Sequence, residues 1–130
     1  MIVLDTSAAI DLAIRNEPRA RFVADTIADV DLIAVPASFD AELLSALRRL
    51  ERAGVIDEPA ALAAVTLIDE LGLDRFALES LVARTWELRQ SITIADGFFV
   101  ALAEALDSPL LTTDAKLGRA HGHTAKIVAP

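Results

Sequence analysis

Four carboxylates in this 130-residue sequence stand where a solvated acid is out of place: Asp5, Glu42, Asp96 and Asp114. Asp5 closes the apolar run Ile2-Val3-Leu4 and precedes Thr6, Ser7 and a helical stretch. That is the carboxyl edge of a buried strand, where open parallel sheets bind ligands. Asp114 repeats the arrangement after Leu110-Leu111-Thr112-Thr113. Each also reads as an ordinary helix N-cap, a position Asp fills often. Asp96 is the only acid between Glu87 and Glu104, in a stretch otherwise apolar enough to be buried. Thr93-Ile94-Ala95-Asp96 has at the same time the form of a capping box.

Glu42 is placed by angle. At about 100° per residue, Phe39, Leu50, Leu43 and Leu47 fall about 60° to 140° to one side of it, so Glu42 borders the buried stripe of its helix. Asp40 falls on the far side and is expected to be solvated. Arg49 projects about 20° from Glu42, within reach of a phosphate bound there. A boundary glutamate with exposed arginine neighbours is the other reading.

If the four acids converge, their repulsion decides the chemistry. Two like charges about 4 Å apart cost about 4 kcal/mol at a surface-like dielectric, so the cluster needs a cation or bound protons. The donors are all oxygens, with no cysteine and no helical histidine pair, which favours Mg²⁺ or Mn²⁺ over zinc. His121-Gly122-His123 reads as a loop around its glycine and not as a metal clip.

Elements that can carry these residues are legible from the pattern. Short apolar runs predict strands over 2–4, 32–35, 75–78, 110–112 and 126–128. Helical periodicity predicts helices from Asp5 through Ile14, over 18–30 with Phe22, Val23, Ile27 and Val30 inward, and over 36–53 starting at Pro36. Further helices are expected over 59–71 ended by Gly72, over 79–89, over 96–106 and over 114–120. The alternation predicts an α/β fold with a mostly parallel sheet. No linker or repeat divides the chain, so one domain over 1–130 is expected.

Composition bounds the rest. The chain is 54% hydrophobic and 25% charged, which excludes intrinsic disorder. A net charge of −8 argues against sequence-blind adhesion to nucleic acid or anionic membranes, and leaves room for a local nucleic-acid site. The longest uncharged apolar stretch, 60–68, is about half of the roughly 20 residues a membrane helix requires. No leader follows Met1, so a cytoplasmic protein without a membrane partner is expected.

Taken in order along nearly the whole chain, Val3-Leu4-Asp5-Thr6-Ser7, Ala41-Glu42-Leu43 with Leu47-Arg48-Arg49, Thr93-Ile94-Ala95-Asp96 before Val100-Ala101-Leu102-Ala103, and Leu111-Thr112-Thr113-Asp114 resemble the PIN-domain ribonucleases. The match is closest to the VapC toxins of bacterial VapBC toxin-antitoxin systems. The resemblance implies a PIN-like three-layer sandwich of about five mostly parallel strands flanked by helices. It implies that Asp5, Glu42, Asp96 and Asp114 are the catalytic, metal-holding quartet, with Thr6, Ser7 and Thr113 in supporting positions. One departure is visible: a further acid or amide often follows the last Asp in the family, where this chain has Ala115, Lys116 and Leu117.

The activity so implied is Mg²⁺- or Mn²⁺-assisted hydrolysis of RNA phosphodiesters, leaving a 5′-phosphate and a 3′-hydroxyl. Assigning four carboxylates to cations accounts for half of the net −8. Arg49, Lys116 and Arg119, with Arg48 and Arg52, are then candidate RNA contacts near the site. A cognate VapB-type antitoxin and a homodimer are implied partners. Leu44, Leu47, Leu62, Val65 and Leu67 are candidates for the antitoxin groove. Three other readings compete: a PIN-domain nuclease of RNA processing, a catalytically inert PIN-like scaffold, and a non-catalytic receiver-type signalling module. The receiver needs a phosphoacceptor Asp after a central strand, where 50–59 reads as helix end and loop. An aspartate-nucleophile phosphatase would need an acid where Ser7 stands.

Overall fold

Ile2, Val3 and Leu4 are all buried, as in a strand covered on both faces, and they form β1 (Ile2–Leu4). The computed structural model describes residues 1–130. Around β1 lie β2 (Ile33–Pro36), β3 (Asp74–Phe76), β4 (Leu110–Leu111) and β5 (Ile127–Val128), in one all-parallel sheet of order β3-β2-β1-β4-β5. The ladder bonds on either side of β1 are of ordinary length: Ile2 N–H to Leu32 O at 3.0 Å and Asp5 N–H to Leu111 O at 2.9 Å.

This order decides where the helices go. The chain travels outward from β1 to β2 and β3, then crosses back past β1 to β4 and β5. Crossovers between parallel strands are right-handed, so the helices of the two halves cover opposite faces of the sheet. In the first half are α1 (Thr6–Ala13), α2 (Arg19–Ile27), α3 (Phe39–Arg52) and α4 (Glu58–Glu70), with α1 packed on the other three. The second half holds α5 (Val82–Glu87), α6 (Ile94–Ala105) and α7 (Ala115–Gly118), with α6 lying across β1, β2 and β4 and backed by α5. Three layers result. The direction of travel reverses between β1 and β4, and that switch point leaves a crevice at the carboxyl ends of the two strands.

Several boundaries differ from the sequence expectation. Pro36 does not open a helix; it ends β2 opposite Phe76, where its missing N–H interrupts the ladder least, and Ala37 N–H resumes on Phe76 O at 2.8 Å. The helix then starts at Phe39. The segment expected as a helix over 79–89 is a 3₁₀ turn, Glu79–Leu81, followed by the short α5. The last helix is only four residues long. Between α3 and α4 there is no strand, and Asp57 there caps α4 by accepting from Ala60 N at 2.9 Å, which removes the receiver-type reading. Gly72 follows the end of α4 in the left-handed region at φ 63°, as a helix-stop glycine does.

Of the five apolar groove candidates, Leu47 is core at 3% exposure, because it lies on the buried face of α3 one turn beyond Leu43. Leu67 is half-buried against the same core. Leu44, Leu62 and Val65 are exposed at 52%, 68% and 39%.

Candidate active site

Asp5 leaves β1 into the crevice and occupies the N-cap position of α1, yet its side chain makes no cap bond. Its Oδ2 instead accepts from Ser7 Oγ and from Thr112 Oγ1, the latter at 2.8 Å. With 3% of its surface exposed, burial pushes its carboxyl above the ordinary range, and the bonds from Ser7 and Thr112 pull it part of the way back. Asp114 leaves β4 beside it and does act as a cap: Oδ1 accepts from Lys116 N at 2.8 Å. In α6, Thr93 Oγ1 accepts from Asp96 N at 3.3 Å, and the Asp96 carboxylate does not accept from Thr93 N, so only half of a capping box is formed.

Two aromatic rings bring α3 and α6 together at this edge. Phe39 and Phe99 meet edge to face with centroids 6.5 Å apart, both fully buried. Such a pair contributes about 0.5–1.5 kcal/mol beyond its buried area. Glu42 lies one turn after Phe39 and Asp96 one turn before Phe99, so the contact that joins the helices also sets these acids near each other. The electrostatics record the result. The Glu42 carboxyl is pushed up to about 7, first by burial and then by the charges of Asp5 and Asp96. Asp96 is raised by burial, by Asp5 and by Asp114, against a lowering bond from Thr93. All four acids therefore share one field.

Beside them opens a cleft of about 700 Å³, lined by Thr6, Ser7, Glu42, Thr113 and Asp114 among others. Asp5 and Asp96 stand outside the lining. Hydroxyls stitch the floor: Ser7 Oγ accepts from Thr113 N at 3.1 Å, and Thr112 Oγ1 accepts from Asp114 N at 3.1 Å. Among the candidate RNA contacts, Arg49 lines the cleft, whereas Lys116 and Arg119 are exposed on and after α7, away from its wall. Asp40 is not simply solvated. Arg75 Nε and Nη2 fork onto its two oxygens at 2.6 and 2.7 Å and hold its carboxyl below the ordinary range. The His121-Gly122-His123 segment is irregular chain with Gly122 at φ 82°.

Three residues of the site escape the sequence reading. Thr112 bonds Asp5, and a signal for it exists, since alternation along a strand puts Thr112 and Asp114 on one side. Asp11 is buried at 7% exposure in the cleft wall. It is the lone acid in the apolar run 8–14, the same test that singles out Asp96. Arg19 lines the cleft from α2 and carries no local signal, because the turn that aims it has none.

The donors suit a hard divalent cation. Glu42 Oε2 and Thr6 Oγ1 are buried with no hydrogen-bond partner, and an unpartnered carboxylate oxygen in the field of Asp5 and Asp96 calls for a positive charge. No three of the acids stand close enough to cage an ion by themselves. Magnesium-type sites do not need such a cage, since they use one or two carboxylates and take their other oxygens from water and substrate.

Comparison with known proteins places this geometry. Residues 2–122 match the family model of the PIN domain. Ribonuclease VapC12 of Mycobacterium tuberculosis is 38% identical over 127 residues, covering 98% of this chain and 97% of that protein. Ribonuclease VapC3 of the same organism is 40% identical over 119 residues, covering 92% and 86%. Among solved structures, VapC20 of Mycobacterium tuberculosis, a sarcin-ricin loop cleaving toxin, superposes with a TM-score of 0.69 at 16% identity over 91% of this chain and 93% of that one. VapBC2 of Rickettsia felis, bound to a DNA fragment from their promoter, gives 0.68 at 19% identity over 99% and 98%. With a family match along nearly its full length and relatives of this similarity, the chain belongs to the PIN-domain family, in its VapC ribonuclease branch.

Proposed function

We propose that this chain is a metal-dependent endoribonuclease, the toxin of a VapBC toxin-antitoxin pair, acting as one PIN domain over residues 1–130. PIN-domain ribonucleases are as a class dependent on divalent metal. The finer assignment here is Mg²⁺ or Mn²⁺, held by Asp5, Glu42, Asp96 and Asp114 with Thr6, Ser7 and Thr113 in support. One observation carries it: four acids from four elements share a field at the switch point of the sheet, and Glu42 Oε2 faces that field without a partner. When bound, the cation supplies Lewis acidity for in-line attack of water on an RNA phosphodiester and neutralises charge on the leaving oxygen.

The chain's own residues do the rest. Ser7 and Thr112 hold the Asp5 carboxylate in one orientation at the end of β1. The cap on Lys116 N fixes Asp114 by one oxygen in the same way. Arg49, on the cleft wall of α3, meets a phosphate of the bound strand and offsets the repulsion between RNA and an acidic protein. Lys116 and Arg119 extend that contact outside the cleft.

No helix is long and apolar enough to cross a membrane. Cellular RNA is the substrate, and the cytoplasm is the place of action. A cognate VapB-type antitoxin, with a basic tail suited to the acidic cleft, covers the exposed strip of Leu44, Leu62 and Val65 beside α3 and α4. The toxin pairs with a second copy of itself. A role in RNA processing outside such a pair would leave no small antitoxin-like gene next to this one, so the neighbouring reading frame separates the two.

The purified chain is expected to cleave RNA with Mn²⁺ and to stop on chelation. Asp5→Asn and Asp96→Asn should each lower the rate by at least about 100-fold, the order of loss seen when one charge-stabilising group is removed. Their circular dichroism should match the unaltered chain. Undiminished cleavage by either variant would overturn the assignment.

A further inference from the structure

Asp11 belongs to neither the quartet nor its hydroxyl support, yet it is buried in the wall of the same cleft. A buried carboxylate has to be partnered, and the partners of this one are informative. Its Oδ2 accepts from Thr113 Oγ1 at 2.6 Å. Its Oδ1 accepts from Asn16 Nδ2 at 2.6 Å, and its backbone carbonyl accepts from Asn16 N at 2.9 Å. Arg19 Nη1 stands 3.8 Å from Oδ2, with about half of the arginine side chain exposed. One side chain thus ties α1 to the turn leading into α2 and to the turn between β4 and α7. Thr113 immediately precedes Asp114, and Thr113 N donates to the Ser7 hydroxyl that in turn holds Asp5. Through Thr113 the carboxylate of Asp11 is connected to both strand-end acids.

We propose that Asp11 is a positioning residue of the ribonuclease site: it pins the Thr113-Asp114 turn against α1, so fixing Asp114 relative to Asp5, and it aims Arg19 across the cleft from Arg49 to take a phosphate of the RNA. The inference rests on the reading given under Proposed function. Asp11 is not a fifth cation ligand, because both of its oxygens are taken by donors of the chain, whereas Glu42 Oε2 is bare. Arg19 has only a long contact with Asp11, so most of its donors stay free for a phosphate, and it lines the same cleft as Arg49. Support of this kind is typical around metal sites, where partners outside the ligand set orient the ligands.

Four variants of the full chain test it: Asp11→Asn, Thr113→Val, Thr113→Ser and Arg19→Gln. Mn²⁺ affinity is read by calorimetry, and kcat and KM by cleavage of a defined RNA. Asp11→Asn and Thr113→Val are each expected to weaken Mn²⁺ binding and lower kcat by about tenfold. Thr113→Ser keeps the hydroxyl and should return both toward the unaltered values. Arg19→Gln should raise KM and leave Mn²⁺ affinity alone. Loss of Mn²⁺ binding in Asp11→Asn with none in Thr113→Val would make Asp11 a ligand and overturn the proposal, as would full retention by both. If Asp11→Asn melts too readily to purify, the Thr113 pair decides by the same criterion. An unaltered chain that neither binds Mn²⁺ nor cleaves RNA would bring down the underlying reading as well; an active parent with indifferent variants brings down this inference alone.

Discussion

Glu42 carries the site's electrostatic tension in a measurable form. With its carboxyl near 7, it is about half protonated at neutral pH, and a cation drawn into the cluster displaces that proton. Mn²⁺ binding at pH 7 should therefore release about half a proton from Glu42, seen as a heat that varies with the ionisation enthalpy of the buffer. Glu42→Gln should reduce the release, and an unchanged value would place the coupling elsewhere. The angular position of Glu42 was legible because a helix of known pitch converts spacing into direction. The same arithmetic puts Asp40 on the solvated side, where 44% of its side chain is exposed, but its partner Arg75 comes from β3, 35 positions along the chain, and no angle within one helix reveals a neighbour on another element. Thr112 and Asp11 carried faint local signals; Arg19 carried none.

Among the elements, the packing of α6 on α5 depends on one position. A Cβ at Gly97 would come within 2.9 Å of Thr85 Cγ2, a branched and buried group that cannot swing away. Gly97 follows Asp96, so any shift that relieves the clash moves an acid of the site. Gly97→Ala should destabilise the fold by about 1–3 kcal/mol through overpacking, despite the better helix propensity of alanine. Adding Thr85→Ser, which removes the obstructing methyl, should recover stability and cleavage together in urea melts and rate assays. Failure of the pair to recover would show that the contact is not what limits Gly97. Existence and type of these elements could be read from apolar periodicity, since burial on one face writes itself into the sequence. Their ends could not: Pro36 satisfies the rules for a helix start and for a strand end alike, and its pairing with Phe76 decides between them. Strand order was equally silent, because the adjacency of β1 and β4 that creates the crevice joins residues over a hundred positions apart.

For the whole molecule, two sets of groups give stability opposite responses to pH. Asp5, Glu42 and Asp96 titrate above their ordinary values in the folded chain, so the folded state holds protons that the unfolded state has released. What they contribute is complete at low pH and declines as pH rises, for Glu42 between its ordinary 4.5 and about 7. Glu104 and Asp40 are held below their ordinary values by Arg84 and Arg75, so their contribution is present above about pH 4.5 and lost on acidification through the lowered values. The Asp40–Arg75 pair is substantially solvated, which keeps its share of the acid limb shallow. Without metal, Tm should peak on the acid side of neutrality and fall toward pH 7; Mn²⁺ should lift the neutral limb most. A metal-free Tm that is level from about pH 5 to 7 would contradict this account.

The uniform polarity of the sheet has a practical corollary. Met1, half exposed, enters β1 at the rim remote from Asp5, while Ala129 and Pro130 emerge from β5 on the rim that also bears Asp114. At the usual strand spacing, β5 lies only about 10 Å from β1. A fluorophore or immobilisation handle attached at residue 1 leaves an incoming polynucleotide a clear approach, whereas the same moiety at residue 130 competes with it for room.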